Sequence, residues 1–321
     1  MISVVMPVYN VSEYVADAIR SVLKQTYSDI ELIIVNDGST DSSLDVIDAY
    51  RYDPRVKVIT TKNGGLAMAR NVGLNYVTGE YLYFLDSDDI INVNLFTELM
   101  KVMSENDGTD LISFNYSEFT SPSEVNFKEK LTLHKQGIIS NLEATKRVLE
   151  GKLPQMAWSY LCKTTLFKEN KITFSDGKLF EDNNVAVKIM LKSKKVRFIN
   201  FMPAGYYLRH RNGSITDIAS KRFSKRELED ELFIFNDVYN VAIKKMDRGY
   251  VNGWYANKLA HLYIKYYKSL YISNPEIFLE IHTKLDKIYK GATHLSFRMR
   301  VRIFRAKYSF IDGVIRKITR G

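Results

Sequence analysis

Short continuous apolar runs alternating with amphipathic stretches fill the first third of the chain, and this alternation restricts the fold more than any other feature. The runs are Ile2–Val8, Ile30–Asn36, Val56–Thr60 and residues 81–85, and the stretches are residues 12–25, 41–50, 66–77 and 93–103. A run such as Leu32-Ile33-Ile34-Val35 shows no polar alternation. As a strand it has both faces buried, which requires a parallel sheet covered by helices on each side. The pattern predicts an α/β fold, a doubly wound, mostly parallel sheet with helices on both faces. Ligands of such sheets lie beyond the carboxyl ends of the strands, so the loops after Val8, Val35 and Leu85 are expected to share one crevice. A further strand is expected near residues 111–116, and the polar segment 120–136 reads as a loop or excursion. From about Ser224 the spacing turns helical over residues 228–242, 255–271 and 276–290, which predicts a helical C-terminal appendage.

With 45% hydrophobic and 26% charged residues, the 321-residue chain has the composition of an ordered globular protein. No apolar run reaches the roughly 18 residues that a membrane-spanning helix needs. Met1 to Asn10 show no basic leader, and the single Cys162 supports neither a disulfide framework nor a zinc site. A cytoplasmic setting is expected. The net charge of +9 is concentrated at the end of the chain, where Arg298, Arg300, Arg302, Arg305, Lys307, Arg316, Lys317 and Arg320 face Asp312 alone. Apolar residues interleave with these cations, as in a basic amphipathic helix. Such a helix either lies on an anionic lipid surface, here the inner face of the plasma membrane, or packs its apolar side on the protein. No nucleic-acid module accompanies the charge, so nucleic acid is not an expected partner.

Three segments carry chemistry. In Asp86-Ser87-Asp88-Asp89 an apolar strand delivers three carboxylates within four positions. Acids this close repel and call for a cation, and hard oxygen ligands suit magnesium or manganese. An extended backbone would point Asp86 and Asp88 the same way. Capping of the helix that begins near Val93 is the alternative for Asp89. Asn36-Asp37-Gly38-Ser39-Thr40-Asp41 follows a buried strand and opens a helix; capping accounts for its end, whereas Asp37 is placed to accept from a base or ribose. Asn63-Gly64-Gly65 precedes a helix that carries Arg70-Asn71, so backbone amides and the Arg70 guanidinium are placed to approach a phosphate.

Together with Val5-Met6-Pro7-Val8-Tyr9-Asn10, these segments resemble family-two glycosyltransferases of the GT-A fold, most strongly over the first 120 residues or so. The resemblance implies an inverting, metal-dependent enzyme of bacterial surface-polysaccharide type. It moves a sugar from a UDP-sugar to a hydroxyl of a glycan or lipid-linked saccharide; an inactive, membrane-associated scaffold of the same fold is the alternative. Pro7 and Tyr9 would wall the nucleobase and Asp37 would accept from it. Gly65, Arg70 and Ser87 would lie along the donor, Asp86 would face the ribose and the metal, and Asp88 would ligate magnesium or manganese. Asp182 of Phe180-Glu181-Asp182-Asn183 would be the catalytic base, with Glu181 beside the acceptor; favouring a helix N-terminus is the plainer reading of both acids. Trp158 of Ala157-Trp158-Ser159-Tyr160 either stacks on an acceptor sugar or belongs to the core. Arg209 and Arg211 of the closing segment 206–215 would reach the diphosphate, and His210 is left open as a metal ligand. The implied division is a catalytic domain over residues 1–223, with a nucleotide-sugar half to about 120 and an acceptor half over 121–223, then a helical region over 224–321.

Overall fold

The computed structural model of the protein describes residues 1–105, 108–211 and 223–318, without the side chains of 135 and 309–318. The chain divides into two compact units at residue 212. The end of the closing segment, from Asn212 to Ile215, and the last three residues of the basic tail lie outside the described residues.

The first unit is built on strands β1 (Ile2–Val8), β2 (Ile30–Asn36), β3 (Val56–Thr60) and β4 (Tyr81–Phe84), in the order β3-β2-β1-β4 and all parallel. Every residue of β1 and β4 is buried, as their unbroken apolar runs require. Helices cover both faces. On one, Val15, Ala18, Ile19 and Val22 of α1 (Val15–Leu23) and Leu95, Phe96 and Leu99 of α4 (Leu95–Met103) join Ile2, Val4, Met6, Leu32 and Ile34 in one core. Each fully buried Ile, Leu or Val there contributes about 2 kcal/mol. On the other face, α3 (Leu66–Leu74) lies so close to β1 and β2 that a Cβ built at Gly73 would stand 2.4 Å from Val5 Cγ1. The short α2 (Ser43–Asp48) completes this half.

Beyond β4 the sheet becomes mixed. Strand β9 (Tyr160–Lys163) lies antiparallel between β4 and β6 (Leu111–Phe114), followed by β10 (Lys195–Met202) parallel to β6 and β8 (Thr132–Ser140) antiparallel at the edge. The expected loop over 120–136 therefore holds the start of a strand. Its signal is weak because β8 is an edge strand, with Leu133 and Ile138 half exposed, and has no continuous apolar run. A small sheet orders β5 (Ile90–Ile91), β11 (Tyr206–Arg209) and β7 (Tyr116–Phe119), with β11 in the middle. Helices α5 (Asn141–Leu149), α6 (Thr165–Lys168) and α7 (Glu181–Lys192) complete this half.

The second unit is helical: α8 (Lys225–Ala242), α9 (Arg248–Leu270), α10 (Pro275–Tyr289) and α11 (Phe297–Ile318). Its starts follow capping chemistry. Ser224 and Glu227 form a reciprocal capping box, the Asp247 carboxylate accepts from the Tyr250 amide at 2.7 Å, and Pro275 opens α10. Tyr255, Tyr263 and Tyr266 are buried packing residues.

The close approach of α3 gives a stability prediction. Gly73→Val should lower the unfolding free energy by about 3 kcal/mol, because the new side chain must displace Val5 and Val35 in a filled layer. Urea denaturation of the two proteins checks it; equal midpoints would mean that α3 can back away freely.

Candidate active site

The parallel order brings the ends of β1, β2, β3 and β4 to one edge of the sheet, where side chains lace their loops together. Asn10 Oδ1 accepts from the Thr40 amide at 2.8 Å, and the Asp41 carboxylate accepts from the Ser12 amide at 3.0 Å. Asp37, almost fully buried, accepts from the Gly64 amide through Oδ1 at 2.9 Å and from the Gly65 amide through Oδ2 at 2.7 Å. The two amides that the sequence placed near a ligand are thus engaged by Asp37, which fixes the glycine turn against β2. Gly65 has φ +89°, a conformation that disfavours a side chain. Pro7 is buried within β1, and Tyr9 lies 46% exposed at the strand's end.

After β4 the chain turns at Ser87 and Asp88, with the Asp89 amide donating to the Asp86 carbonyl at 3.2 Å. A turn, not an extended backbone, therefore arranges the acids. Asp89 caps no helix. It is buried and accepts from the Arg209 amide at 2.7 Å and from the Tyr206 hydroxyl, tying β11 to the acidic turn. Burial, reinforced by Asp88 and Asp86, holds its carboxyl well above the ordinary range.

Arg70 organises the centre. Its side chain is 1% exposed, and it donates through Nη2 to Asp86 Oδ1 at 2.9 Å and through Nη1 to Glu181 Oε1 at 2.8 Å and Asp182 Oδ1 at 2.5 Å. One buried guanidinium therefore joins β4's acidic turn to the first turn of α7. A lone buried cation is costly, and so are three clustered carboxylates; each makes the other tolerable. Burial and the neighbouring acids still outweigh Arg70 for Asp86, whose pKa is raised to about 6. Glu181 is raised as well, first by burial and then by Asp182. The Asp182 side chain keeps 20% exposure, and its Oδ2 accepts from the Ala157 amide at 3.3 Å. Asn71, next to Arg70, binds the Phe174 carbonyl and amide, each at 2.9 Å, and so fixes the loop that precedes α7.

The closing segment comes to the same turn. Arg209 Nε donates to the Asp88 carbonyl at 2.7 Å, and Arg211 Nε donates to Asp88 Oδ2 at 2.6 Å. His210 points elsewhere: its Nε2 lies 2.8 Å from Glu118 Oε2. Trp158 is buried with one face stacked on Tyr206, ring centroids 4.0 Å apart, and Tyr116 set edge-on against it. Its packing matches the core alternative. The sequence did not reveal Tyr206, Asn71, the Ala157 amide or the binding role of Asp89, because each acts on a partner distant in the chain.

Among the described residues no three His, Cys, Asp or Glu side chains converge as a metal cage. A hard divalent cation bound beside phosphates needs only one or two protein carboxylates, the rest coming from phosphate oxygens and water. Asp88 and Asp86 fit that requirement, since both are partly exposed and the Asp88 carboxylate adds to Asp86's need for positive charge.

The family described as Glycosyl transferase family 2 matches residues 3–155. The glycosyltransferase GlyG of Streptococcus pneumoniae serotype 4 is 35% identical over 227 residues, covering 67% of this chain and 72% of GlyG. The minor teichoic acid biosynthesis protein GgaB of Bacillus subtilis is 28% identical over 73% of this chain, which spans only 26% of GgaB. Residues 1–349 of S. aureus TarS, in a crystal structure with UDP-GlcNAc, superpose with a TM-score of 0.68 at 21% identity, over 97% of this chain and 88% of that one. The α/β unit has the GT-A fold. By its likeness to GlyG and its match to the family, the chain belongs to glycosyltransferase family 2.

Glu181 supplies a pH prediction. A carboxyl whose folded pKa is raised adds stability below its unfolded value and loses that contribution as pH rises through the folded value. Glu181→Gln should therefore flatten part of the fall in unfolding free energy between about pH 4 and neutrality. Urea titrations at a series of pH values test this, and an unchanged profile would mean that Glu181 does not titrate in that window.

Proposed function

We propose that this chain is an inverting glycosyltransferase that moves a sugar from a UDP-sugar to a hydroxyl of a glycan or lipid-linked saccharide in cell-surface polysaccharide biosynthesis. The observation that carries the reading is the Arg70 bridge, which holds Asp182 and the acidic turn in one constellation. The names of GgaB and of the TarS complex with UDP-GlcNAc support the surface-polymer and UDP-sugar parts of it. The cytoplasm, where a lone cysteine stays reduced, is its setting.

Asp182 is the base: partly exposed and oriented by Arg70 and the Ala157 amide, it takes the acceptor's proton. The acceptor oxygen bonds to the anomeric carbon as the bond from that carbon to the diphosphate oxygen breaks, and UDP leaves with the electron pair. Pro7, Tyr9 and Asp37 line the nucleoside end, while Gly65, Ser87 and Asp86 border the ribose and diphosphate. Asp88, with Asp86, would hold magnesium or manganese, which would supply positive charge to neutralise the departing diphosphate. Arg209 and Arg211 add cationic donors to the same leaving group. Glu181 borders the acceptor. Residues 1–223 form the catalytic domain, and 224–321 are appended to it.

Two measurements separate these roles. Asp182→Asn should reduce transfer at least about a thousandfold while calorimetric UDP binding stays within a few-fold of wild type; loss of UDP binding would assign Asp182 to the donor site instead. Chelation by EDTA and Asp88→Ala should each abolish turnover of UDP-sugars, and full activity in both would remove the metal from the reaction.

A further inference from the structure

Over its described side chains, Phe297 to Tyr308, helix α11 carries two apolar stripes, and only one of these packs on the protein. Ile303 and Ala306 are fully buried, and Met299 is half-buried, on the side that meets α9 and α10. Phe297, Val301, Phe304 and Tyr308 follow one another at spacings of four, three and four, which at 3.6 residues per turn sets them in a single row. These four are 81%, 41%, 58% and 51% exposed. On the helical wheel the row lies roughly opposite the packed stripe, with Arg298, Arg302 and Arg305 along one flank and Arg300 and Lys307 along the other. No acidic residue occurs between Phe297 and Ile311, although Lys307 pairs with Asp286 of α10 at 2.7 Å, so the arginines carry most of the outward charge.

We propose that this outer face of α11 docks on an anionic lipid surface, with the aromatic row entering the boundary between headgroups and acyl chains and the flanking cations meeting lipid phosphates. The two alternatives that the sequence left open for the tail are thus both realised, on opposite sides of one helix. Charge complementarity selects the occupant. A second copy of the chain would bring one cationic flank against another, and like charges repel. A nucleic acid would meet an apolar crest where its phosphates need cations. A lipid interface accepts both, apolar row inward and cations at headgroup level. The proposal depends on neither the donor nor the base, so it stands or falls apart from the catalytic reading.

The test is sedimentation of the full chain with vesicles made of equal parts phosphatidylglycerol and phosphatidylcholine, beside vesicles of phosphatidylcholine alone. The wild type should pellet with the anionic vesicles at low salt and be released as salt rises. Phe297→Ser/Phe304→Ser should weaken binding by about tenfold or more. Arg298→Gln/Arg300→Gln should weaken it by a similar factor and reduce its salt dependence. Both pairs are exposed, so circular dichroism and UDP-sugar turnover should match wild type. Four outcomes overturn the proposal: wild type remaining in the supernatant, equal binding by Phe297→Ser/Phe304→Ser, binding to duplex RNA but not to vesicles, or a dimer that Phe297→Ser/Phe304→Ser dissociates.

Discussion

The first unit depends on one charge arrangement, the buried Arg70 guanidinium shared by Asp86, Glu181 and Asp182. Arg70 comes from a helix of the parallel half, Asp86 from the turn after β4, and the acid pair from the first turn of α7, more than a hundred residues along the chain. The cation is tolerated in the interior only because the carboxylates surround it, and they can cluster only because it is there. That mutual need fixes the distance between the end of β4 and the start of α7. The acid at the head of α7 therefore stands beside the acidic turn.

Asp89 makes a second, independent tie. Its two oxygens take the Tyr206 hydroxyl and the Arg209 amide, so the middle strand of the small sheet is drawn to the acidic turn, and Arg209 and Arg211 come with it to Asp88. Within Asp86-Ser87-Asp88-Asp89 the three acids thus face three partners: Asp86 takes Arg70, Asp88 takes Arg211, and Asp89 takes β11. A cluster that would repel itself in isolation is distributed over cations and donors from separate parts of the fold. Burial first, and then the crowding of the acids, holds the Asp86 and Asp89 carboxyls above the ordinary range.

Local chemistry made much of this legible. β1, β2 and β3 occupy the runs read from the sequence; β1 and β2 are buried on both faces and so are written in nearly unbroken apolar residues, whereas the edge strand β3 is only partly buried. The helices of the second unit follow their periodicity and caps. The acidic turn, the Gly64-Gly65 turn and the Glu181-Asp182 pair were recognisable because each concentrates unusual residues within a few positions. β8 escaped notice because an edge strand needs only one apolar face, and the sequence of β9 gives no hint that it lies antiparallel between two strands.

The sequence by itself determined the α/β class, the parallel half of the sheet, the helical appendage and the family, since these rest on periodicity and on short motifs that local chain geometry enforces. Only the tertiary structure decided which carboxylate meets which cation. It engaged Asp37 with the Gly64 and Gly65 amides, buried Trp158 against Tyr206, turned His210 toward Glu118 and gave Asp89 to β11. The physical reason is that hydrogen bonds and ion pairs between residues far apart in the chain leave no periodic mark on it. Their partners are chosen by the distances and directions that the packed sheet imposes.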